Sequence, residues 1–410
     1  MDTSKVNKPH EKVAVIGLGY VGLPLLCHLA DTYSVCGFDI DEERIEQLKN
    51  FDDTKNCVIK SHLLRLGNVV LTSDWTVLKE YTILIVAAPT PVDKDNKPDL
   101  HALKDICAHI GDILTKGMTI VFESTVAPGT TEEVCIQILE EKSGLKINDD
   151  FFVGFSPERI NVGDSQHSIN SVAKIVAGSN ADTRQRLTRL YEKGLGCPVV
   201  PASSIKVAEA AKLYENVQRD VLIALANQYS EYCRAEGIDI HEVTRCASTK
   251  WNFAEVYPGL VGGHCIGVDP YYLLNRCLSR GLELPLVTVA REVNELTIKR
   301  VADNIVKKLM DIKKSELSIM KILVLGFSYK ADCKDIRNTK VSDVIIELEK
   351  HFKQVDCFDP YIDADKAYYE YGITVKTEML SIDDYDAVVE LVPHKCFLEI
   401  NKTILINEVL

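Results

Sequence analysis

Residues 12–30 read KVAVIGLGYVGLPLLCHLA, an apolar strand, a glycine-rich turn and the start of a helix. Gly17, Gly19 and Gly22 form a GxGxxG pattern directly after the strand. We expect Gly17 to make the tight turn, Gly19 to let the backbone approach a pyrophosphate, and Gly22 to let helix and strand pack closely. The helix then directs unpaired N–H groups at the phosphates. The stretch predicts a dinucleotide-binding unit.

Asp39 follows the second predicted strand, 17 residues past Gly22. A carboxylate at this position can bind a ribose 2′-hydroxyl, and it repels a 2′-phosphate. Strand, turn, helix and acid in this order therefore predict NAD rather than NADP. For the glycines alone, a turn in an unrelated α/β fold is the alternative.

Strands and helices alternate in the first and last parts of the chain. In the first part, predicted strands cover 12–17, 35–38, 83–88 and 119–123, and predicted helices cover 23–30, 101–114 and 131–140. In the last part, a strand and turn at 321–330, a helix at 341–352 and strands at 355–361 and 386–392 repeat this order. Uniformly apolar strands between helices indicate a parallel sheet covered on both faces. The sequence predicts an α/β fold with two Rossmann-like domains.

The middle of the chain is helical. Residues 203–236 contain no Gly or Pro, and their apolar residues recur every three or four positions, which predicts one helix of about 30 residues. Ser203 or Ser204 is a suitable N-cap, and Gly237 a suitable end. A helix this long is expected to link two domains and to pack against a second subunit. The predicted domains are 1–202, 203–312 and 313–410, with further helices near 241–247 and 287–310.

The composition excludes several classes of protein. The chain has 410 residues, 46% of them hydrophobic, and a formal net charge of −13. An acidic surface argues against nucleic acid or an anionic membrane as the main partner, although a few local cations can still bind a small anion. The apolar stretches are too short or too interrupted for a membrane span, and the N-terminus lacks the apolar core of a signal peptide. We expect a cytoplasmic protein.

The thirteen cysteines are scattered, without a CxxC pair or zinc spacing, so we expect reduced, mostly buried thiols and no metal. Cys265 is different because Gly262 and Gly263 precede it and open the loop to a ligand. A helix starting after the loop would lower the thiol pKa, and Asp269 could share a helical face with the cysteine. His264 could be a proton partner, although adjacent side chains usually face apart. On spacing alone, a structural cysteine remains the alternative.

Other polar positions lie where a site could form. Lys212 and Asn216 lie at i and i+4 on the long helix and could stabilise an oxyanion, with a solvated helix face as the alternative. Thr125 and Glu158 follow strands, where ligands of open α/β sheets bind, with ordinary turn residues as the alternative. The loop GFSYKADCKDIRNT of the last part lacks the glycine pattern but has Lys330, Lys334 and Arg337, which could hold phosphates or form a solvated basic loop.

Seven segments together resemble the UDP-glucose/GDP-mannose dehydrogenase family over nearly the whole chain. They are GLGYVGLP (17–24), APTPVD (88–93), STVAPGTTEEV (124–134), GFSPERINVGD (154–164), KVAEAAKLYENVQRDVLIALANQ (206–228), GLVGGHCIGVDPYYL (259–273) and GFSYKADCKDIRNTKVSDVI (326–345). The resemblance implies a four-electron oxidation of a nucleotide sugar at C6 with NAD. It also implies a C-terminal UDP-sugar-binding domain and a homodimer built on the central helix.

Residue roles follow from the matching motifs as expectations. Cys265 is the implied thiolate that forms a thiohemiacetal and then a thioester. Lys212 and Asn216 are the implied oxyanion stabilisers, and Asp269 pairs with Lys212 or orders a water. Glu158 and Thr125 are candidates for handling the hydrolytic water. The implied cofactor contacts are Gly17, Gly19, Tyr20, Val21, Gly22, Asp39, Arg44, Thr90 and Thr125. The implied substrate contacts are Glu158, Arg159, Lys212, Asn216, Tyr257, Gly259, Lys330 and Arg337, the last of which could reach a neighbouring subunit.

The cysteine motif also bears on the sugar. UDP-glucose dehydrogenases typically read GGSCFPKD, whereas this chain has His264 before the cysteine and Ile266-Gly267-Val268 after it. This resembles the N-acetylhexosamine branch, and most closely the UDP-N-acetylglucosamine 6-dehydrogenases of capsular and Vi-antigen-type polysaccharide synthesis. UDP-N-acetylmannosamine enzymes usually have Pro at the place of Gly267. We therefore expect UDP-GlcNAc, with UDP-GalNAc or UDP-ManNAc as the alternative.

Two rival functions remain to be separated. A two-electron dehydrogenase of the hydroxyacid type shares the GxGxxG unit but needs no cysteine and no second α/β domain. A non-catalytic nucleotide-sugar sensor would not need the catalytic residues, yet this chain has all four of them: Cys265, Lys212, Asn216 and Asp269. The ending INEVL suggests that a final short segment of the last domain is absent.

Overall fold

The computed structural model describes residues 11–55, 57–159, 169–313, 316–398, 400 and 405–406. The predicted polar N-terminus and most of the ending INEVL lie outside these residues. The chain divides into unit 1, which comprises Met1–Tyr214 and Tyr271–Arg276, and unit 2, which comprises Glu215–Pro270 and Cys277–Leu410. The three predicted domains stay a prediction.

Unit 1 contains a sheet to which eight described strands contribute. These are β1 (Lys12–Ile16), β2 (Ser34–Phe38), β3 (Val70–Thr72), β4 (Ile83–Val86), β5 (Thr119–Phe122), β6 (Phe152–Phe155), β7 (Lys174–Gly178) and β8 (Val199–Pro201). Their order is β3-β2-β1-β4-β5-β6-β7-β8. All neighbours are parallel except β6 and β7. That antiparallel pair differs from the predicted parallel sheet. Its described connecting residues, 156–159 and 169–173, contain no crossover helix of the kind that parallel neighbours need.

Helices cover both faces of this sheet, as predicted. They are α1 (Gly22–Leu29), α2 (Glu42–Lys49), α3 (Lys60–Leu63), α4 (His101–Ile113), α5 (Ile136–Ser143) and α6 (Ala181–Leu195). Alternate residues of β1 enter different cores, because Ala14 packs in the cluster that contains residues of α4 and α5. Val13 packs in the cluster of α1 and α6. The strands are therefore apolar on both sides, which places the polar residues of the unit at the ends of the strands.

The predicted long helix is confirmed as α7 (Ile205–Glu236). The hydroxyl of Ser204 accepts a hydrogen bond from the N–H of Val207, so it is the N-cap. Gly237 ends the helix with φ +69°, and the N–H of Ile238 donates to the carbonyl of Cys233. The chain continues as α8 (Ile240–Ala247), α9 (Asp269–Leu278) and α10 (Pro285–Lys313).

The last part of the chain is the predicted second Rossmann-like sheet. Its described strands are β9 (Lys321–Leu325), β10 (Gln354–Phe358), β11 (Val375–Lys376), β12 (Ala387–Glu390) and β13 (Leu405–Ile406), and its helices are α11 (Val341–Glu349) and α12 (Ala364–Tyr371). The strands are parallel in the order β11-β10-β9-β12-β13. The central strand β9 has the place in this sheet that β1 has in unit 1.

Candidate active site

The turn between β1 and α1 has the geometry that its three glycines predict. Gly17 has φ +91°, and a Cβ atom there would lie 2.7 Å from the carbonyl oxygen of Ala87. A Cβ atom on Gly22 would overlap the carbonyl oxygen of Gly17, so helix and strand pack too closely for a side chain. A Cβ atom on Gly19 would meet nothing within 4 Å. The turn is therefore open where a pyrophosphate would approach, and these residues fit a dinucleotide.

Asp39 and Arg44 hold this turn from the next strand and helix. The N–H of Leu18 donates to Asp39 Oδ2 over 2.8 Å. Arg44 donates from Nε to the carbonyl of Leu18 over 3.1 Å and from Nη2 to Asp53 over 2.7 Å. The Arg44 side chain is 1% exposed, and its Nη1 has no partner among the described residues. Arg44 thus lies behind the turn rather than on its open side, while Asp39 is half-buried beside it.

The loops after β4 and β5 meet at the same edge of the sheet. The hydroxyl of Thr90 donates to the carbonyl of Thr125 over 2.7 Å, and that of Ser124 donates to the carbonyl of Ala88 over 2.7 Å. The hydroxyl of Tyr272 donates to the carbonyl of Thr90. Strands β1, β4 and β5 are neighbours, so the structure brings the predicted residues Thr90 and Thr125 to the edge that holds the glycine turn.

Glu158 and Arg159 follow β6, the next strand along this edge. Arg159 donates to the carbonyl of Ala173 over 2.6 Å. Behind the loop, a buried ion pair joins Glu123 to Lys174 over 2.7 Å, and the Tyr191 hydroxyl donates to the same carboxylate over 2.6 Å. Burial raises the pKa of Glu123, against the lowering effect of Lys174. Sequence reasoning missed this trio, since its members come from β7, α6 and the end of β5.

The first part of α7 contributes Glu209 and Lys212 to unit 1. Glu209 is fully buried and accepts hydrogen bonds from the N–H groups of Gly129 and Thr131, which orders the loop after Thr125. Lys212 is 7% exposed and forms no hydrogen bond or ion pair with any residue the structure describes. The solvated helix face considered for Lys212 is therefore wrong.

Cys265 lies in the turn that leads into α9. Cys265 is an exposed residue, whereas eight of the thirteen cysteines are buried, and none of the thirteen forms a disulfide. The N–H of Asp269 donates to the carbonyl of Cys265 over 2.9 Å, so the turn continues directly into the helix. Asp269 is 3% exposed and accepts a hydrogen bond of 2.5 Å from the amide of Asn216. Three predicted residues of unit 2 are thereby connected.

Two further side chains of unit 2 hold the loop around this turn. Asn227 accepts from the N–H of Gly259 over 2.8 Å and donates to its carbonyl over 3.1 Å. Arg291 donates to the carbonyl of Ile266 over 3.5 Å and to Asp220 over 2.9 Å. Burial raises the pKa of Asp220 to about 6, although Arg291 acts in the opposite direction. A sequence gives no sign of these contacts beyond polar residues in helices α7 and α10.

The remaining predicted substrate contacts are dispersed within unit 2. Arg337 makes three hydrogen bonds of 2.6–3.0 Å with Asp335. Lys330 is half-buried on the same loop. Tyr257 donates to Glu255 and stacks on His241, with ring centroids 5.4 Å apart. The structure thus directs the Arg337 guanidinium to a carboxylate of its own loop.

His264, next to the thiol, is half-buried. Burial and then the charge of Arg337 lower its pKa, so its imidazole is neutral near pH 7.

In the sheet formed by β9–β13, Asp359 has the place that Asp39 has in unit 1, but its surroundings differ. Asp359 follows β10 and is fully buried. Its carboxylate accepts from the N–H groups of Phe327 and Ser328 and from Nε2 of His394, at 2.8–3.1 Å. His394 Nδ1 accepts from the N–H of Asp332, which fixes the proton on Nε2. Burial raises the pKa of Asp359, but these hydrogen bonds more than offset it and hold the pKa below its ordinary value. This carboxylate is therefore used for hydrogen bonds within the protein.

No helix in the described ranges is long and apolar enough to cross a membrane. The cytoplasmic location stays a prediction.

Comparisons with known proteins agree with the three parts of the chain. Residues 11–194 match the NAD binding domain of the UDP-glucose/GDP-mannose dehydrogenase family, residues 206–296 its central domain and residues 323–408 its UDP binding domain. The UDP-N-acetyl-D-glucosamine 6-dehydrogenase of Pseudomonas aeruginosa is 42% identical over 94% of this chain and 91% of that protein. Protein CapL of Staphylococcus aureus is 42% identical over 97% of this chain and 93% of its own length.

This chain also has the fold of a solved structure. The UDP-D-ManNAc dehydrogenase of Pyrococcus horikoshii has a TM-score of 0.85 and 28% identity, and the match covers 95% of this chain and 91% of that one. An NAD-binding unit, a UDP-binding unit and the intervening helical part thus agree in sequence and in fold. The chain belongs to the UDP-glucose/GDP-mannose dehydrogenase family.

Proposed function

We propose that the chain oxidises the C6 hydroxyl of a UDP-N-acetylhexosamine to a carboxylate, with Cys265 as the nucleophile. The observation that carries this proposal is that Cys265 is an exposed residue in an ordered turn. The N–H of Asp269 donates to the carbonyl of Cys265, and the amide of Asn216 donates to the Asp269 carboxylate. A simple alcohol dehydrogenase does not use a thiol nucleophile. A covalent step at an aldehyde does need an accessible thiol in an ordered position.

The thiol is needed between the two oxidations. NAD, when bound at the glycine turn, supplies the hydride acceptor. A hydride leaves most readily from a carbon that carries an alkoxide oxygen. The aldehyde from the first oxidation has a carbonyl oxygen instead, so it must first form an adduct. The Cys265 thiolate adds to the aldehyde carbon, and the new C–S bond gives a thiohemiacetal. Loss of a hydride from this carbon and of the proton from its hydroxyl makes a thioester, and water then breaks the C–S bond to release the carboxylate and the thiol.

The other predicted residues are proposed participants in this chemistry. Lys212 and Asn216 stabilise the oxyanion, and Asp269 orients the Asn216 amide through their hydrogen bond. Thr125 and Glu158 handle the hydrolytic water. Supporting this assignment, the Lys212 residue is 7% exposed and has no hydrogen-bond or ion-pair partner among the described residues.

Cofactor and nucleotide contacts are assigned by the same motifs. The glycine turn binds the pyrophosphate, and Asp39 binds the adenosine ribose. Tyr20, Val21 and Thr90 complete the cofactor contacts, while Arg44 supports the turn from behind. The proposed substrate contacts besides those already named are Arg159, Tyr257, Gly259, Lys330 and Arg337.

The sugar is proposed to be UDP-GlcNAc. The relative from Pseudomonas aeruginosa is named for this sugar. This chain also has Gly267 where the mannosamine enzymes usually have proline. UDP-GalNAc, which differs in the orientation of one hydroxyl, is the second candidate. The product is a uronic acid precursor for surface polysaccharide.

The deciding experiment measures NADH formed per sugar consumed. We expect two NADH per UDP-GlcNAc, and a higher kcat/KM than with UDP-GalNAc, UDP-ManNAc or UDP-glucose. One NADH per sugar with every substrate would instead mean a two-electron dehydrogenase. No reduction of NAD with any of the four would contradict the proposed substrate class.

We also propose a homodimer through the central helices. Leu225, Tyr229 and Tyr232 lie on one face of α7 and are 45–60% exposed. On α10, Leu286 is 69% exposed and Val289 is 50% exposed. The two helices pack together through Ala224, Ala290 and Val293, so both carry exposed apolar residues beside one shared core. A surface of this kind is typical of a subunit interface.

Light scattering tests this assembly. We expect about twice the chain mass of 45.8 kDa for the wild type. The double variant Leu225→Glu, Leu286→Glu is expected to be monomeric, because buried charges disfavour association. Leu398→Glu is a matched control, since Leu398 is 85% exposed and lies outside this surface. A monomeric wild type, or a double variant that stays dimeric, would contradict the proposal.

A further inference from the structure

Three glycines surround Cys265, and all three face one segment, residues 329–338. A Cβ atom on Gly262 would lie 2.8 Å from the carbonyl oxygen of Asn338, and one on Gly267 would lie 2.9 Å from its Nδ2. A Cβ atom on Gly263 would lie 2.9 Å from the ring of Tyr329. A side chain at Gly262 would therefore meet backbone of this segment, and side chains at Gly263 and Gly267 would displace Tyr329 and Asn338. The contact explains why three glycines flank the nucleophile.

Asn338 makes two hydrogen bonds to the turn. Its carbonyl accepts from the N–H of Gly263 over 3.2 Å, and its side-chain Nδ2 donates to the carbonyl of Gly263 over 3.0 Å. Asn338 has φ +51°, a left-handed conformation that Asn tolerates better than most residues. This unusual backbone lets one residue hold both polar groups of Gly263, two positions before the thiol.

The same segment contains the proposed nucleotide contacts. Arg337 precedes Asn338 directly, and Asp335 holds its guanidinium in place. Lys330 lies at the other end of the segment. The cysteine turn and the proposed nucleotide contacts are thus parts of one packed structure within unit 2.

We propose that Asn338 is a positioning residue, which sets the orientation of the Cys265 turn through Gly263 and couples it to nucleotide binding on residues 330–337. This inference rests on the proposed function. A misplacement of about 1 Å between nucleophile and carbonyl carbon can cost about 10²-fold in rate. The first oxidation needs no thiol, so a displaced turn should slow only the steps after the aldehyde.

Two substitutions separate the contacts of Asn338. Asn338→Asp tolerates the left-handed backbone but sets a carboxylate oxygen against the carbonyl of Gly263. Asn338→Gly keeps the backbone and its carbonyl acceptor and removes only the Nδ2 hydrogen bond. Asn148→Asp is the matched control, because Asn148 also has a positive φ (+66°), is exposed and belongs to unit 1.

Rapid-mixing kinetics then follow NADH and trapped aldehyde. For Asn338→Asp we expect the second NADH to form about 10–100-fold more slowly, the first within about threefold of wild type, and aldehyde to accumulate. Asn338→Gly should show a smaller slowing of the second phase, about 3–10-fold. Equal slowing of both phases would indicate a merely structural role and overturn the proposal, as would unchanged kinetics.

Alkylation gives a readout without turnover. Iodoacetamide labelling of Cys265 is measured by peptide mass spectrometry, with the exposed Cys246 and Cys396 as internal references. Saturating UDP is expected to slow Cys265 labelling at least threefold in the wild type and by less than half that factor in Asn338→Asp. An equal effect of UDP in both proteins would overturn the coupling. Should Asn338→Asp not fold, Asn338→Gly decides by the same measurements.

Cys265→Ser separates this inference from the proposed function. If that variant still makes the second NADH at the wild-type rate, the thioester mechanism itself fails. If it blocks the second oxidation while both Asn338 variants behave as wild type, only the positioning role fails.

Discussion

Replacing Cys265 with serine is expected to lower the rate of carboxylate formation at least about 10³-fold. The serine hydroxyl is nearly isosteric but is not ionised near neutral pH, so it forms the adduct with the aldehyde far more slowly than a thiolate. The helix α9 begins just after the turn, and the carbonyl of Cys265 is already bonded to it, so the backbone should not change. The first oxidation should therefore continue, with at most one NADH per sugar and a trappable aldehyde.

Cys246→Ser is the matched control, because Cys246 is also exposed but lies in α8 and has no proposed role. It should retain two NADH per sugar and the wild-type rate. The two variants are compared by NADH stoichiometry and by mass spectrometry of trapped intermediates. A Cys265→Ser protein that still forms the carboxylate at a rate similar to the control would contradict covalent catalysis.

Replacing Lys212 with methionine is expected to lower kcat about 10²–10³-fold while leaving the free energy of unfolding equal to or above that of the wild type. The Lys212 residue is 7% exposed and has no hydrogen-bond or ion-pair partner among the described residues. Methionine has a similar length, so it can fill the same largely buried space, and replacing a polar group there by an apolar one is often neutral or stabilising. A loss of activity without a loss of stability is the expected result for a side chain that acts in catalysis and does not stabilise the fold.

The two quantities are measured by steady-state kinetics and by urea unfolding. Lys206→Met is the control on the same helix, since the Lys206 side chain is 50% exposed and forms ion pairs with the partly exposed Glu132 and Glu133. It should change neither kcat nor stability by much, because surface ion pairs contribute about 0–1 kcal/mol. If Lys212→Met loses activity and stability together, its role is structural, and the oxyanion assignment is wrong.

Local features of this chain were predictable from sequence because their causes are local. The GxGxxG turn needs its glycines for backbone reasons, and Ser204 and Gly237 limit the long helix through hydrogen bonds to nearby residues. The apolar runs of the strands predicted the layers of the sheet. Cys265 could be singled out by its neighbours, although its role came from the resemblance rather than from spacing.

Contacts between distant residues could not be predicted in this way. The pair of Glu123 and Lys174 joins two strands, and Asn338 meets Gly263 from 75 residues away. Nothing in either segment alone specifies such a partner. The antiparallel direction of β7 escaped prediction for the same reason, because it depends on the path of the connection rather than on the strand.

The hydrogen bonds of Asp359 bear on the ancestry of the two Rossmann-like units. If they arose from a duplicated ancestral domain, both copies kept an acid that accepts a hydrogen bond from the N–H after the first glycine of the turn, Leu18 or Phe327. In the second copy this acid is fully buried and also accepts from Ser328 and His394. Returning the second copy to its former ligand would need the loss of His394, a remodelled loop and new glycines at once. Each single change leaves a buried carboxylate or imidazole without its partner. Divergence of this kind is difficult to reverse, because a residue that once bound a ligand now stabilises the fold and cannot be changed alone without loss of stability.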